Sequence, residues 1–366
     1  MYDNELIALK KSNRFRERIL LDSELIDLGT NDYLGLASNG KQVKKAIKLL
    51  LAQESYAPKA SMLVGGYHMM HALFENELAV LNGFESAIML SSGFLANIAL
   101  IESLVRKGDF LLMDEEFHAS GILAAKLIEG RYEFFKHNDP NDLREKLQNI
   151  KAKRVFVAIE GVYSMSGDIC KKEIFDLADE FGVLMIVDEA HSSGVLGKNL
   201  LGVFDYFDIA PKENHIKMGT LGKAYGSQGA YILASKEIIS FLENRAKPII
   251  YSTAPSLFDA ALALVNLRYI SKAKHKLTQK IQRREKLARE VFGKKFQSLI
   301  IPIEQKDNQS VQKMQKILRE KGYFVGAIRQ PTVAHPIIRV IPRTNIPLPQ
   351  IKEVFEIIRE IDDRVQ

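Results

Sequence analysis

Hydrophobic positions in the middle of the chain fall in short unbroken runs. Seven stand between Ser86 and Ser235, at residues 87–90, 110–113, 132–135, 155–159, 184–187, 215–218 and 230–233. Several are rich in β-branched residues and carry no polar alternation, the pattern of strands buried on both faces. Stretches with helical spacing of apolar residues lie between many of them, at 95–106, 142–150 and 173–181. Strand–helix alternation of this kind predicts an α/β fold: a mostly parallel seven-stranded sheet with helices on both faces. The pattern changes on either side. Residues 1–43 read as an N-terminal arm and 44–266 as the large domain. From about 267 a long helical stretch runs to 292, followed by short strands at 299–303, 324–328 and 337–341 and a closing helix at 348–362. Residues 267–366 thus read as a smaller α+β domain.

Composition narrows the class. A chain of 366 residues, 46% hydrophobic and 26% charged, has enough apolar side chains for a large core. Its one cysteine, Cys170, excludes an intrachain disulfide and a cysteine-built metal cluster, and fits a reducing, cytoplasmic setting. No apolar run approaches the roughly 20 residues that span a bilayer. The start, Met1-Tyr2-Asp3-Asn4-Glu5, lacks the basic and apolar regions of a signal peptide. The formal charge of +6 is compatible with nucleic acid or with anionic small molecules. The densest basic stretch, 272–295, is spaced through Leu277, Ile281, Leu287 and Val291 as on an amphipathic helix, so it reads as a solvated helix face. Neither a nucleic acid nor a membrane is expected as a partner.

Ligands of open α/β sheets sit beyond the carboxyl ends of the strands, so the residues following each run carry the candidate chemistry. The first run is followed by Ser91-Ser92-Gly93-Phe94 and a helix start. A glycine there admits an anion to the free amides of the helix N-terminus, although many such glycines serve only the turn. His118 follows the second run, where its ring could stack on a flat ligand or stand in a loop without function. Ser164 follows the fourth, as a ligand contact or a turn cap. The fifth ends in Asp188-Glu189-Ala190-His191. A helicase reading of that tetrapeptide needs an upstream GxxxxGK[ST] loop, which the chain lacks. A metal reading needs more ligands than Glu189 supplies nearby. A carboxylate buried at a strand end instead wants a cationic partner, such as a protonated pyridine. The sixth run ends in Thr220-Leu221-Gly222-Lys223. A lysine set among small residues at a strand end is easily desolvated, as a Schiff-base lysine must be. One ligand accounts for these strand ends together: pyridoxal phosphate (PLP), with its phosphate at Gly93, Phe94 and Thr220, its ring under His118, its pyridinium on Asp188, its phenolic oxygen near His191 and Ser164, and its aldehyde carbon on Lys223.

The chain resembles the α-oxoamine synthases, PLP enzymes of fold type I, from about residue 26 to 360. The resemblance is carried by Asn31-Asp32-Tyr33-Leu34-Gly35-Leu36, by Leu63-Val64-Gly65-Gly66-Tyr67 with His71, by Ser92-Gly93-Phe94 with Ala96-Asn97, and by His118-Ala119-Ser120. It continues through Glu160-Gly161-Val162-Tyr163-Ser164-Met165, Asp188-Glu189-Ala190-His191 with Gly194, Gly219-Thr220-Leu221-Gly222-Lys223 and Tyr251-Ser252-Thr253. Members condense an amino acid with an acyl thioester and release CO₂. Position by position, the resemblance implies Lys223 as Schiff-base lysine and proton-transfer group, with Asp188, His118 and His191 completing the catalytic set. Gly93, Phe94, Ser164 and Thr220 would hold the cofactor, with Thr253 reaching the partner's site in a homodimer. Arg339 would pair with the amino-acid carboxylate, Asn31 and Thr332 would contact substrate, and one of Arg14, Arg16 and Arg18 would do so too, Arg14 being the choice. No metal is implied. The stretch Ala327-Ile328-Arg329-Gln330-Pro331-Thr332-Val333 points to members that join L-alanine to a pimeloyl thioester, carried on CoA or on acyl carrier protein. Members using glycine, serine or another acyl group are the alternative. Two stretches depart from the family pattern: 57–62, where glycines are usual, and Ile337-Ile338-Arg339, where Arg-Leu-Arg is common.

Overall fold

The structure is a computed structural model that describes residues 1–12 and 14–363. Its backbone gathers into two compact units. One holds residues 34–164 and 168–279; the other holds 1–33, 165–167 and 280–366.

Strand β1 (Ile26–Asp27) belongs to the second unit. The first unit is built on seven strands: β2 (Ser86–Leu90), β3 (Phe110–Asp114), β4 (Arg131–Phe135), β5 (Val155–Glu160), β6 (Leu184–Asp188), β7 (His215–Thr220) and β8 (Ala230–Ala234). They lie in the order β2-β8-β7-β6-β5-β3-β4. Each of the seven apolar runs became one of them. Every neighbouring pair is parallel except those of β8, which runs antiparallel to both β2 and β7. The fold is therefore the mostly parallel α/β sheet expected from the runs. The strands β3, β5, β6 and β7 are buried almost throughout, which explains their lack of alternation. By contrast β4 closes one edge, and four of its five residues are exposed. Ala96, Ala99, Leu100 and Ile101 of the helix Gly93–Leu104 pack with Leu111, Met113, Phe156, Ile186 and Ile232 in one apolar cluster. Removing a large side chain there, as in Leu100→Ala, costs about 2–5 kcal/mol.

In the second unit, β9 (Ile301–Glu304), β11 (Gly326–Ile328) and β12 (Ile337–Val340) form an antiparallel sheet in the order β11-β12-β9. The short β10 (Tyr323–Phe324) instead pairs with β1 in parallel. The single strand expected at 324–328 is thus two strands with different partners. The buried Val325 separates them, and at Gly326 an added Cβ would stand 3.2 Å from the Arg339 carbonyl oxygen. The helices Asn308–Glu320 and Leu348–Asp363 supply Val311, Met314, Leu318, Ile351, Val354 and Phe355 to the core of this unit. A helix of 36 residues, Leu257–Phe292, starts ten residues before the helical stretch read from sequence. Its first three turns contain the fully buried Leu257, Ala260, Ala261, Ala263 and Leu264. A helix start that is apolar on nearly every side shows no amphipathic period, so the pattern concealed it.

Candidate active site

Parallel packing brings the carboxyl ends of β3, β5, β6 and β7 to one edge of the sheet, and the antiparallel β8 places the end of β2 there too. A cavity of about 190 Å³ opens at this edge, lined by Gly93, Phe94, Asn97, His118, Ser120, Glu160, Asp188, Ala190, His191, Met218, Thr220 and Lys223. Local structure aims each group. Ser92 caps the helix Gly93–Leu104, its hydroxyl accepting from the Leu95 amide. This leaves Gly93 at the cavity, where an added Cβ would lie 3.6 Å from the Thr220 Cβ. His118 caps the helix Ala119–Ala125, its Nδ1 accepting from the Ser120 amide at 3.2 Å. Gly194, at φ +90°, lets the turn after β6 nest against the turn that carries Lys223. A Cβ there would come within 2.5 Å of the Ala224 Cβ, so only glycine fits.

The polar groups form a connected chain. The Asn97 side-chain amide donates to Asp188 Oδ2 at 2.9 Å and to Ser120 Oγ at 2.9 Å. With its oxygen already accepting, the Ser120 hydroxyl turns its proton to His118 Nδ1, 2.7 Å away. The other Asp188 oxygen accepts from the Ala190 amide at 2.9 Å. Since His118 Nδ1 accepts, its Nε2 bears the ring proton. Burial lowers the His118 pKa, with Lys223 adding to the effect and Asp188 opposing it, which favours the neutral ring. Lys223 Nζ stands 2.7 Å from His191 Nε2. Burial, reinforced by Asp188, raises the Glu160 pKa well above the ordinary carboxylate range.

Seven residues singled out in the sequence therefore share this cavity: Gly93, Phe94, His118, Asp188, His191, Thr220 and Lys223. Ser164 and Thr253 are not among its lining residues. The Ser164 amide donates to Glu160 Oε2 at 3.1 Å, and Thr253 is exposed. Thr220 Oγ1 donates to the Gly229 carbonyl and accepts from the Gly222 amide. The other candidates lie in the second unit. Arg339 is buried and donates to Asn31 Oδ1 at 2.9 Å. Arg14 and Thr332 line a separate pocket of about 210 Å³ with Arg16, Arg329 and Gln330. Within it Arg16, rather than the chosen Arg14, donates to Thr332 Oγ1, at 3.1 Å. Asn97, Ser120 and Glu160 had no role from the sequence. Each follows or ends a strand beside a candidate residue, but an asparagine inside a helix gives no sign of the strand end it will face.

The chain matches the family described as Aminotransferase class I and II over residues 23–358. It is 42% identical to the 8-amino-7-oxononanoate synthase of Helicobacter pylori strain 26695 over 356 residues, 97% of this chain and 95% of that protein. The chain belongs to the 8-amino-7-oxononanoate synthase family. A putative member from Aquifex aeolicus is 37% identical, with 90% of each chain covered. Among solved structures, the 8-amino-7-oxononanoate synthase of Francisella tularensis is similar with a TM-score of 0.79 and 29% identity, over 94% of this chain and 100% of that one. Serine palmitoyltransferase from Sphingomonas wittichii is similar with a TM-score of 0.88 and 26% identity, over 97% and 96%. The family expected from the sequence motifs is thus the one the chain belongs to.

Proposed function

We propose that the chain joins L-alanine to a pimeloyl thioester, of CoA or acyl carrier protein, releasing CO₂ and the free thiol to give 8-amino-7-oxononanoate. PLP is its cofactor. The observation that carries this reading is the meeting of Lys223, His191, Asp188 and His118 at one strand-end cavity. The donor set fits PLP: a primary amine for the aldehyde, a carboxylate with both oxygens oriented by N–H donors for the pyridinium, a flat imidazole for the ring, and a glycine-opened helix start with Thr220 for the phosphate. When bound, PLP supplies an electron sink for the carbon from which a proton or CO₂ departs.

The side chains do the rest. Lys223 Nζ is the base that takes the α-proton of alanine and later returns a proton to the same carbon. His191 Nε2, in hydrogen-bond reach of Nζ, orients that amine. Asn97 fixes Asp188 and, through Ser120, fixes the His118 tautomer. His118 Nε2–H is then a donor for the thioester carbonyl oxygen as negative charge develops on it. The family resemblance assigns Arg339, which donates to Asn31 Oδ1, to the amino-acid carboxylate, for which its guanidinium fork is suited. The basic pocket of Arg14, Arg16 and Thr332 suits an anionic part of the acyl donor.

A homodimer and a cytoplasmic setting belong to the same proposal. Leu63, Val64, Tyr67, Met69 and Tyr251 are half or more exposed, an apolar surface that a second copy would cover. Its strands of chain are joined, since the Ala254 amide donates to the Ala60 carbonyl and His71 Nε2 meets the Pro255 carbonyl at 2.8 Å. Cys170 is buried as a free thiol, as suits a reducing compartment.

The test is spectroscopic and chemical. Purified protein with PLP should show a visible band that borohydride abolishes and that Lys223→Ala lacks. With pimeloyl-CoA, L-alanine should release CO₂ and free thiol. Turnover with glycine or serine in place of alanine would move the activity elsewhere among α-oxoamine synthases.

A further inference from the structure

In the β5–β6 pair, Glu160 and Asp188 are direct partners in register. Side chains at matched positions of parallel strands project to the same face, and both carboxyls line the cavity. Their surroundings differ. Asp188 has an N–H donor on each oxygen, from Ala190 and Asn97. Glu160 is 2% exposed and has one donor, the Ser164 amide, on Oε2. Its Oε1 is buried and has no hydrogen-bond partner among the described residues. The charged groups that face Glu160 are Asp188 on β6 and Asp114 on β3, which oppose its ionisation, and Lys223 on the turn after β7, which favours it. His118 and His191 line the same cavity.

Two neighbouring buried carboxyls do not both ionise readily; one keeps a proton. The anion belongs where hydrogen-bond donors are most numerous, at Asp188, and the proton where an oxygen lacks any donor, at Glu160. We infer that Glu160 works in the cofactor cavity as a neutral carboxylic acid, with Oε1 held as a hydrogen-bond donor, so that Asp188 is the one anion offered to the cofactor. Glu160 is then a positioning residue: a second anion beside Asp188 would divide the attraction for a pyridinium and bind Lys223 as an ion pair. The strong upward shift from burial and from Asp188 agrees with this assignment. The inference rests on the PLP reading only for its consequence, since the proton on Glu160 belongs to the protein alone.

Infrared difference spectra separate the two. Cofactor-free protein grown with isotope-labelled glutamate is compared with Glu160→Gln at neutral pH. The expected result is a protonated-carboxyl carbonyl band in the wild type that shifts with the label and is missing from the variant. PLP titration by absorbance then follows. Glu160→Gln, a neutral side chain that can still donate, should keep the affinity, while Glu160→Ala, which removes the donor that the inference places beside the cofactor, should weaken it about tenfold. Absence of the label-sensitive band, or a Gln variant as weak as the Ala variant, overturns the inference. A band at Glu160 in a protein that binds no PLP upholds the neutral acid and overturns the cofactor reading instead.

Discussion

Asn97 shows how much one side chain settles. Its amide has two hydrogens, and each has a different acceptor: the Asp188 carboxylate and the Ser120 hydroxyl. Asn97→Ala removes a donor from Asp188 and frees Ser120 to turn away from His118. Outer-shell partners that orient metal ligands matter about 10- to 100-fold, and a fall in kcat of the same order is expected for this orienting asparagine. The visible spectrum of bound PLP should shift at the same time, because Asp188, the proposed pyridinium partner, has lost a hydrogen bond. A variant with normal kcat and spectrum would show that the chain from Asp188 to His118 is ornamental. Lys223→Ala is the stricter case. It should abolish turnover and the borohydride-sensitive band together while leaving the thermal midpoint of the cofactor-free protein close to wild type, since the amine's partner His191 also faces the cavity. The place of Lys223 at the strand-end cavity was legible from sequence, because it stands among small residues directly after an apolar strand. Asn97 was legible only as part of a family motif, since nothing along a helix tells which strand end it will face.

At the scale of elements, the loops that leave β3 and β5 are tied together by His137. Its Nδ1 lies 3.0 Å from Asp114 Oδ1, and its Nε2 lies 3.1 Å from Asp168 Oδ2 and 3.6 Å from Glu116 Oε2. The fully buried Asp114 also accepts from the Tyr163 hydroxyl and the Asn138 amide, so β3, β5 and the loop after β4 share one network. Burial by itself would lower the His137 pKa, but the hydrogen bonds to Asp114 and Asp168 outweigh it and raise the value to about 10. The sign follows directly. A folded-state value above the unfolded one means the imidazolium stabilises fully below the ordinary histidine value of about 6.5, and less as pH rises through about 10. His137→Gln should therefore lower the unfolding free energy measured in urea most at neutral and mildly acidic pH, by roughly 1–3 kcal/mol. The gap from wild type should close toward pH 10. A gap that widened with pH would contradict the imidazolium bridge. The strands flanking this network could be read from their unbroken apolar runs. The network could not, because Asp114, His137 and Asp168 are separated along the chain and each alone resembles an ordinary loop residue.

For the whole molecule, the proposed homodimer makes a prediction about which chain completes each site. Thr253 is not among the residues that line the cavity of its own chain, and the proposal is that it reaches the site of a partner copy. Tyr251 beside it is 80% exposed, an unusual burden for a large aromatic on a free surface. A crossed pair of variants decides between the alternatives. Lys223→Ala alone should be inactive, and Thr253→Ala alone should bind PLP weakly through a lost phosphate contact. In a mixed dimer, the subunit that keeps Lys223 has the Thr253→Ala change in its own chain, but its partner still carries Thr253. If Thr253 acts across the interface, that subunit has a complete site, and mixing the two proteins raises activity at low PLP above the sum of the separate samples. If Thr253 acts within its own chain, no complete site exists in the mixture and activity stays at the sum. Tyr251→Asp serves as the companion variant: a charge placed on the apolar surface should shift sedimentation toward the monomer and remove the gain on mixing. Complementation that survived in a purely monomeric sample would refute the shared site, because no partner would be present to supply the missing threonine.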